Sequence, residues 1–196
     1  MRIVFASSLI PTLPPDCGFE LANRAFVEGL LRAGHDVQLI GFALPDRELL
    51  FHDRSHSLGT LDVKTANAGT KQKLSWLTHA VRKNTSFAAA KLDLVSARDF
   101  KSRIDALAPF DVIVINGAPV AGAVFEVLTS YPHIYVAHNQ EAVAARHASE
   151  ASAAITEKLM YRREAAQLER LEKRIAKTAS SAAAFTSEDL VALFGA

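Results

Sequence analysis

The sequence predicts an α/β fold, a doubly wound, mostly parallel sheet with helices on both faces. Three observations lead there. Short apolar runs rich in β-forming residues recur along the chain: RIVFA at 2–6, DVQLIGFA at 36–43, DVIVIN at 111–116 and HIYVA at 133–137. They are apolar almost throughout, as strands buried on both faces are, and do not alternate in the manner of half-exposed ones. Stretches with helical spacing separate them, the alternation that builds parallel sheets from βαβ units. The topological switch then falls between the first strand and the DVIVIN strand. Ligands of open parallel sheets bind at the carboxyl ends of strands at such a point. Loop 7–18, the turn at Asn116-Gly117 and the step at His138-Asn139 should therefore line one crevice.

Composition bounds the rest. The 196 residues, 49% hydrophobic and 22% charged, suit one globular domain over 1–196 with a sizeable core. The net charge of +1 offers no basis for a nucleic-acid partner, and none is expected. A single cysteine, Cys17, excludes an internal disulfide and fits a reducing compartment. The opening MRIVFASSLIPTLPP is interrupted by serines and prolines too early for a signal peptide, and no apolar run reaches membrane-spanning length. The expected location is the cytoplasm.

In chain order, RIVFA is the first strand, and the proline-bearing loop up to Gly18 cannot be helical. A helix is predicted over about 19–33, with Ala22, Phe26, Leu30 and Ala33 on its inner face and Gly34 as a left-handed cap. DVQLIGFA is the second strand. Residues 45–59 read as polar and irregular, with a third strand at 60–66. Helices are predicted over 71–84, with Leu74, Leu77 and Val81 inward, and over 95–108, closed by Pro109. After DVIVIN and a turn at 116–118, Pro119 opens a helix that runs to about Ser130. HIYVA follows, then a long helical region from Gln140 to about Lys177, weakened near 148–152, with Met160, Leu168, Leu171 and Ile175 inward. A short strand at 181–185 and a helix opened by Ser187-Glu188-Asp189 end the chain.

Few residues carry an obvious chemical signature. The first loop lacks a G-x-G-x-x-G fingerprint, there is no P-loop, and no nucleophile elbow is present. Gly18, ahead of a helix, either presents bare N–H groups to a phosphate or merely starts the helix, and position does not separate the two. His138 suits a polar ligand contact or a general base, although histidines in apolar surroundings are commonly structural. Asn139 and Glu141 are explained as an N-cap and a first-turn carboxylate opposing the helix dipole. His52 and His56 stand four apart without a third ligand nearby, so no metal is expected. Residues 63–92 hold Lys64, Lys71, Lys73, Arg82, Lys83 and Lys91, with Trp76 and no Asp or Glu. That pattern fits weak contact with an anionic membrane surface, or a solvated helix with its apolar stripe in the core.

Three stretches together resemble a known family. The opening MRIVFASSLIPTLPPDCGFELANRAFVEGLLRAGHDVQLIGF, the strand end YVAHNQE and the run EAAQLERLEKRIAKTASSAAAFTSEDLVALF resemble the N-terminal domain of family 4-type glycosyltransferases. The resemblance is weak from about 45 to 102. It implies a Rossmann-like domain that is one half of a GT-B architecture and holds the acceptor. The donor-binding C-terminal domain would be a partner absent from this chain. The implied reaction is retaining transfer from a nucleoside-diphosphate sugar to a glycan or lipid-linked acceptor in polysaccharide or glycolipid assembly. It needs no metal or other cofactor in this domain and acts by positioning and charge stabilisation. The resemblance implies that Gly18 offers its N–H to the donor phosphate. It also implies that His138 hydrogen-bonds the sugar or acceptor at the transferred carbon, with Asn116 and Asn139 as further substrate contacts. The family's paired loop glycines are replaced here by Cys17-Gly18. Two other readings stay open: a stand-alone, non-catalytic Rossmann-like binding module, and a GT-B-like sugar-nucleotide epimerase. Contact through residues 63–92 would place the domain in the cytoplasm, peripheral to the inner face of the membrane.

Overall fold

Strand β1 (Arg2–Leu9) lies at the middle of the protein, its residues buried from Ile3 onward. The structure, a computed structural model, describes residues 1–15, 17–62, 67–137, 141–184, 186–187 and 190–191. After β1 come β2 (Thr12–Leu13), α1 (Gly18–Arg32), β3 (Asp36–Ala43) and β4 (Glu48–Leu49). A 3-10 turn at His52–Arg54 leads into β5 (Ser55–Thr60), followed by α2 (Thr70–Arg82), α3 (Phe87–Leu92) and α4 (Ala97–Asp105). Then come β6 (Val112–Asn116), α5 (Ala118–Leu128), β7 (His133–Ala137), α6 (Glu141–Ala151), α7 (Ile155–Thr178) and β8 (Ser181–Ala184).

The main sheet has six strands in the order β5-β3-β1-β6-β7-β8, and every pairing in it is parallel. This is the Rossmann-like α/β arrangement, with the switch between β1 and β6 as the sequence predicts. A small antiparallel ladder, β2 with β4, lies beside it. The period-2 geometry of strands divides the apolar residues between two cores. Ile3, Phe5, Val112, Val114 and Val136 face the side covered by α1. Val4, Ala6, Ile113, Ile115 and Tyr135 face the side packed by α4, α5 and α7. No helix among the described residues is long and apolar enough to cross a membrane.

Several elements depart from the sequence expectation. The third strand is β5, at Ser55–Thr60 and not 60–66, of which 63–66 lie outside the described residues. It pairs on one side only, with β3, and an edge strand tolerates the polar composition SHSLGT that hid it. Within it His56 bonds Gln38 (Nε2 to Oε1, 2.9 Å) and is not a loop residue. The region 87–108 holds two helices, each with a serine N-cap: Ser86 accepts from the Ala89 N–H and Ser96 from the Asp99 N–H.

Helix α1 buries Glu20, Asn23 and Val27, with Phe26 and Leu30 only partly covered and Ala33 exposed. Helix α2 buries Trp76 and Ala80 and leaves Leu74 and Val81 outside. In α1 the polar Glu20 and Asn23 take the most buried positions while Phe26 and Leu30 pack at the edge of the core, and in α2 Trp76 turns inward where Leu74 and Val81 do not. Met160 is exposed, while Leu168, Leu171 and Ile175 face inward as predicted. Helices α6 and α7 break at 152–154, next to the weak spot.

Two caps show local sequence setting the chain direction. Gly34, at φ +81, closes α1 with His35 N–H to Leu30 O and Gly34 N–H to Leu31 O, the paired bonds of a Schellman ending. Asn84, at φ 50, closes α2 the same way, through Thr85 N–H to Ala80 O and Asn84 N–H to Val81 O.

Candidate functional site

A cleft of about 210 Å³ opens at the carboxyl ends of the central strands, at the switch between β1 and β6. Ser8 and Leu9 at the end of β1 form its base, Cys17 and Phe19 at the start of α1 one wall, and Lys91 and Leu92 of α3 another. Pro119 of α5 and Glu141 of α6 close it.

The base is shaped by an irregularity in β1. Its register with β3 shifts between Ala6 and Leu9, while on the other side Ser7 still pairs with Asn116 of β6. Bulges of this kind re-aim side chains at sites. Gly41 of β3 permits it: a Cβ there would lie 2.4 Å from the Ser7 carbonyl oxygen. Below the bulge runs a buried polar network. Asn23 Nδ2 donates to Ser7 Oγ (2.9 Å) and to Leu9 O (3.0 Å). Asn116 Nδ2 donates to Asn23 Oδ1 (2.6 Å) and Ser7 Oγ (3.2 Å). Glu20 Oε1 accepts from the backbone N–H and hydroxyl of Thr12 (3.1 and 2.6 Å). These bonds tie the start of α1 to the end of β1 and so fix two walls of the cleft. Ser8 Oγ, in contrast, is buried with no hydrogen-bond partner among the described residues.

The α3 wall is only six residues long and is held from α7. Glu164 accepts from the N–H groups of Phe87 (2.6 Å) and Ala88 (3.1 Å), placing a carboxylate on the positive end of α3. Arg163 donates to Ala80 O (2.7 Å) and Thr85 O (3.1 Å) just before it. Lys91 extends from this helix with its ammonium over the rings of Trp76 (5.5 Å) and Phe87 (5.1 Å). Burial lowers its pKa, against the pull of Glu164 and Asp62.

Glu141 and Glu172 form an acidic pair at the far wall. The backbone N–H of Glu141 donates to Glu172 Oε1 (3.2 Å), so a carboxylate from α7 caps the first turn of α6. Burial, with help from Glu172 and then Glu164, pushes Glu141 up to about 8. Burial pushes Glu172 up to about 7, against the hydrogen bonds it accepts from the α6 backbone. Burial and the neighbouring Glu172 thus work against the charge with which Glu141, in the first turn of α6, would oppose the helix dipole. Tyr135, buried beside the pair, is also pushed up by desolvation. Gly117, at φ +86, sits between Phe19 and Glu141, where an added Cβ would lie 3.6 Å from the Phe19 ring and 3.9 Å from Glu141 Oε1.

The residues singled out from the sequence are distributed as follows. Gly18 is exposed at the first position of α1, with open space where a Cβ would be, and its neighbours Cys17 and Phe19 line the cleft. Asn116 lies at the end of β6 but is fully buried, its amide committed to Ser7 and Asn23, which makes it a support for the cleft. His138 and Asn139 lie outside the described residues. Sequence reasoning missed Ser8, Lys91, Glu172 and the chemistry of Glu141. Glu172 had a visible signal: it interrupts the stripe Leu168, Leu171, Ile175 at helical spacing. A protonated carboxyl beside apolar walls donates a hydrogen bond to a hydroxyl, and the ammonium of Lys91 attracts an anion. Among the described residues no three His, Cys, Asp or Glu side chains are grouped to hold a metal ion.

In comparisons with known proteins, no family model matches the sequence, and no curated protein matches it significantly.

Proposed function

We propose that this chain is the acceptor-side domain of a retaining glycosyltransferase, which moves a sugar from a nucleoside-diphosphate sugar to a glycan or glycolipid acceptor. The observation that carries the reading is the cleft at the strand switch, with the start of α1 on one wall and the carboxyl of Glu141, its pKa raised by burial, on the other. Of the two sequence motifs, the described residues Ser8, Cys17 and Phe19 of the opening and Glu141 of YVAHNQE line it.

In this reading the acceptor lies in the cleft and the donor is brought by a second domain. The N–H of Gly18 and the positive end of α1 meet the diphosphate. The departing phosphate takes the proton of the acceptor hydroxyl as that oxygen attacks the anomeric carbon on the same face. His138 holds the sugar or acceptor at that carbon, and Asn139 adds a substrate contact beside it. Glu141 in its neutral form donates a hydrogen bond to another acceptor hydroxyl. Rate enhancement comes from positioning and from fixed dipoles aimed at developing charge. The reading requires no metal and no further cofactor in this domain, and places the enzyme at the inner face of a membrane where lipid-linked acceptors lie.

The test uses the chain together with whatever its reading frame encodes beyond Ala196. A panel of labelled nucleoside-diphosphate sugars is offered with glycan and glycolipid acceptors, and the anomeric configuration of the product is read by NMR. Transfer with retention is expected, and His138→Ala should lower turnover about 10²-fold in a protein with an unchanged melt. Turnover near normal in that variant removes His138 from the site. Absence of transfer from every donor, with no acceptor binding, overturns the reading.

A further inference from the structure

The outward side of α2 carries a feature that the cleft does not use. Leu74 is 61% and Val81 58% exposed. Seven residues apart, they lie on one face of the helix. Lys71, Leu74, Ser75, Thr78, His79 and Arg82 line one shallow trough of about 450 Å³ along that face. Two large aliphatic side chains in water are therefore flanked by cations at both ends of the helix. Lys71, Lys73 and Arg82 make no ion pair with any described residue. Asp93 takes up His79 and approaches Lys83 at 3.9 Å, so it screens only the inner edge. Residues 63–92 include no Asp or Glu at all.

We propose that this face of α2 rests on an anionic lipid surface, with Leu74 and Val81 entering the headgroup layer and Lys71 and Arg82 meeting lipid phosphates. Charge complementarity selects the occupant. A membrane of anionic lipid offers both a dense negative surface and an apolar layer beneath it, which matches aliphatics set among cations that no described residue pairs. The face is also joined to the cleft: α3 follows α2 directly and its Lys91 and Leu92 form a cleft wall. The proposal does not depend on the transferase reading.

Vesicle sedimentation tests it, using this protein with phosphatidylcholine vesicles and with equimolar phosphatidylcholine and phosphatidylglycerol. Binding is expected to the anionic vesicles alone and should fade as salt is raised. The double variant Lys71→Glu/Arg82→Glu should weaken partitioning at least about ten-fold. Leu74→Ser/Val81→Ser, which leaves the charge unchanged, should weaken it as well. Leu21→Ser is the control: Leu21 is 54% exposed on α1, which covers the opposite face of the sheet, and should bind as the parent does. All these positions are on the surface, and melts confirm that each variant is folded. Three results overturn the proposal: no binding to anionic vesicles at low salt, an equal loss in Leu21→Ser, or self-association without lipid that the α2 variants abolish.

Discussion

Replacing Glu172 by Gln probes the acidic pair behind the cleft. Glu172 is 5% exposed and accepts the Glu141 N–H at 3.2 Å. Gln keeps an acceptor oxygen and a similar shape but has no charge to desolvate. In the parent protein burial outweighs the helix N–H groups and Arg146, which pull the other way, and takes the carboxyl from its ordinary 4.5 to about 7. With ~1.4 kcal/mol for each tenfold change in proton affinity, the ionised form is disfavoured by about 3 kcal/mol. Glu141, pushed up to about 8, acts in the same direction, and part of its shift comes from Glu172.

The sign follows from proton linkage. Both carboxyls bind protons more tightly in the folded state than in the unfolded chain. Their contribution to stability is complete below the ordinary carboxylate range and is lost as pH rises through about 7 and about 8. The parent should therefore lose stability between mildly acidic and mildly basic pH. Glu172→Gln should flatten that loss, match the parent at low pH, and exceed it by about 3 kcal/mol at the basic end. For a domain of this size that gain corresponds to a Tm higher by roughly 6–10 °C. Thermal melts by circular dichroism across the range read it directly. Parallel Tm curves for parent and variant, or a parent that grows more stable toward basic pH, would refute the reasoning.

Three further substitutions test the supports of the cleft. Gly41→Ala sets a Cβ 2.4 Å from the Ser7 carbonyl, a backbone atom with no rotamer to yield, and should cost about 3 kcal/mol in urea denaturation. Asn116→Ala leaves Asn23 Oδ1 without this donor and should cost about 1–3 kcal/mol, and an unchanged urea midpoint would show the network to be dispensable. Glu164→Ala removes the acceptor for Phe87 and Ala88 and should cost about 1 kcal/mol, with faster amide exchange confined to the start of α3.

The central strands and the switch between β1 and β6 were legible in the sequence because buried parallel strands are apolar without alternation, as VIVIN and HIYVA are. Edge strand β5 was not, since SHSLGT has to satisfy water on one side. Helix faces failed where pattern reading assumes that inward means aliphatic. Glu20 and Asn23 face inward because Thr12, Ser7 and the Leu9 carbonyl receive them, and those partners lie on β1 and β2, outside the window in which a helical pattern is read. The bulge at Ser7-Ser8 depends on Gly41 of β3, a contact no local window contains. Among the site residues, the position of Gly18 at a helix start was readable from its spacing, whereas the inward turn of Asn116 depended on the same distant network.

Buried polar groups are the better guide to where this protein works. A polar side chain in a core costs stability unless it is paired, and an apolar one of similar size would add roughly 1.5–3 kcal/mol. Of the ten buried polar residues described, Ser7, Ser8, Thr12, Glu20, Asn23 and Asn116 lie on β1, β2, α1 or at the end of β6, while Ser86, His133 and Ser149 lie elsewhere. Glu172 joins them from α7 against the start of α6, where β7 ends. Folding alone gives no reason to concentrate such groups at one end of a sheet whose strands are otherwise filled with Val, Ile and Phe. A cleft that has to hold polar ligands does. Five of these groups tie the walls together, the Glu172 carboxyl holds Glu141 at the rim, and the Ser8 hydroxyl remains at the base without a described partner. A ligand oxygen reaching that hydroxyl would make a hydrogen bond that no described residue makes, so occupancy of the cleft should raise Tm more in the parent than in Ser8→Ala.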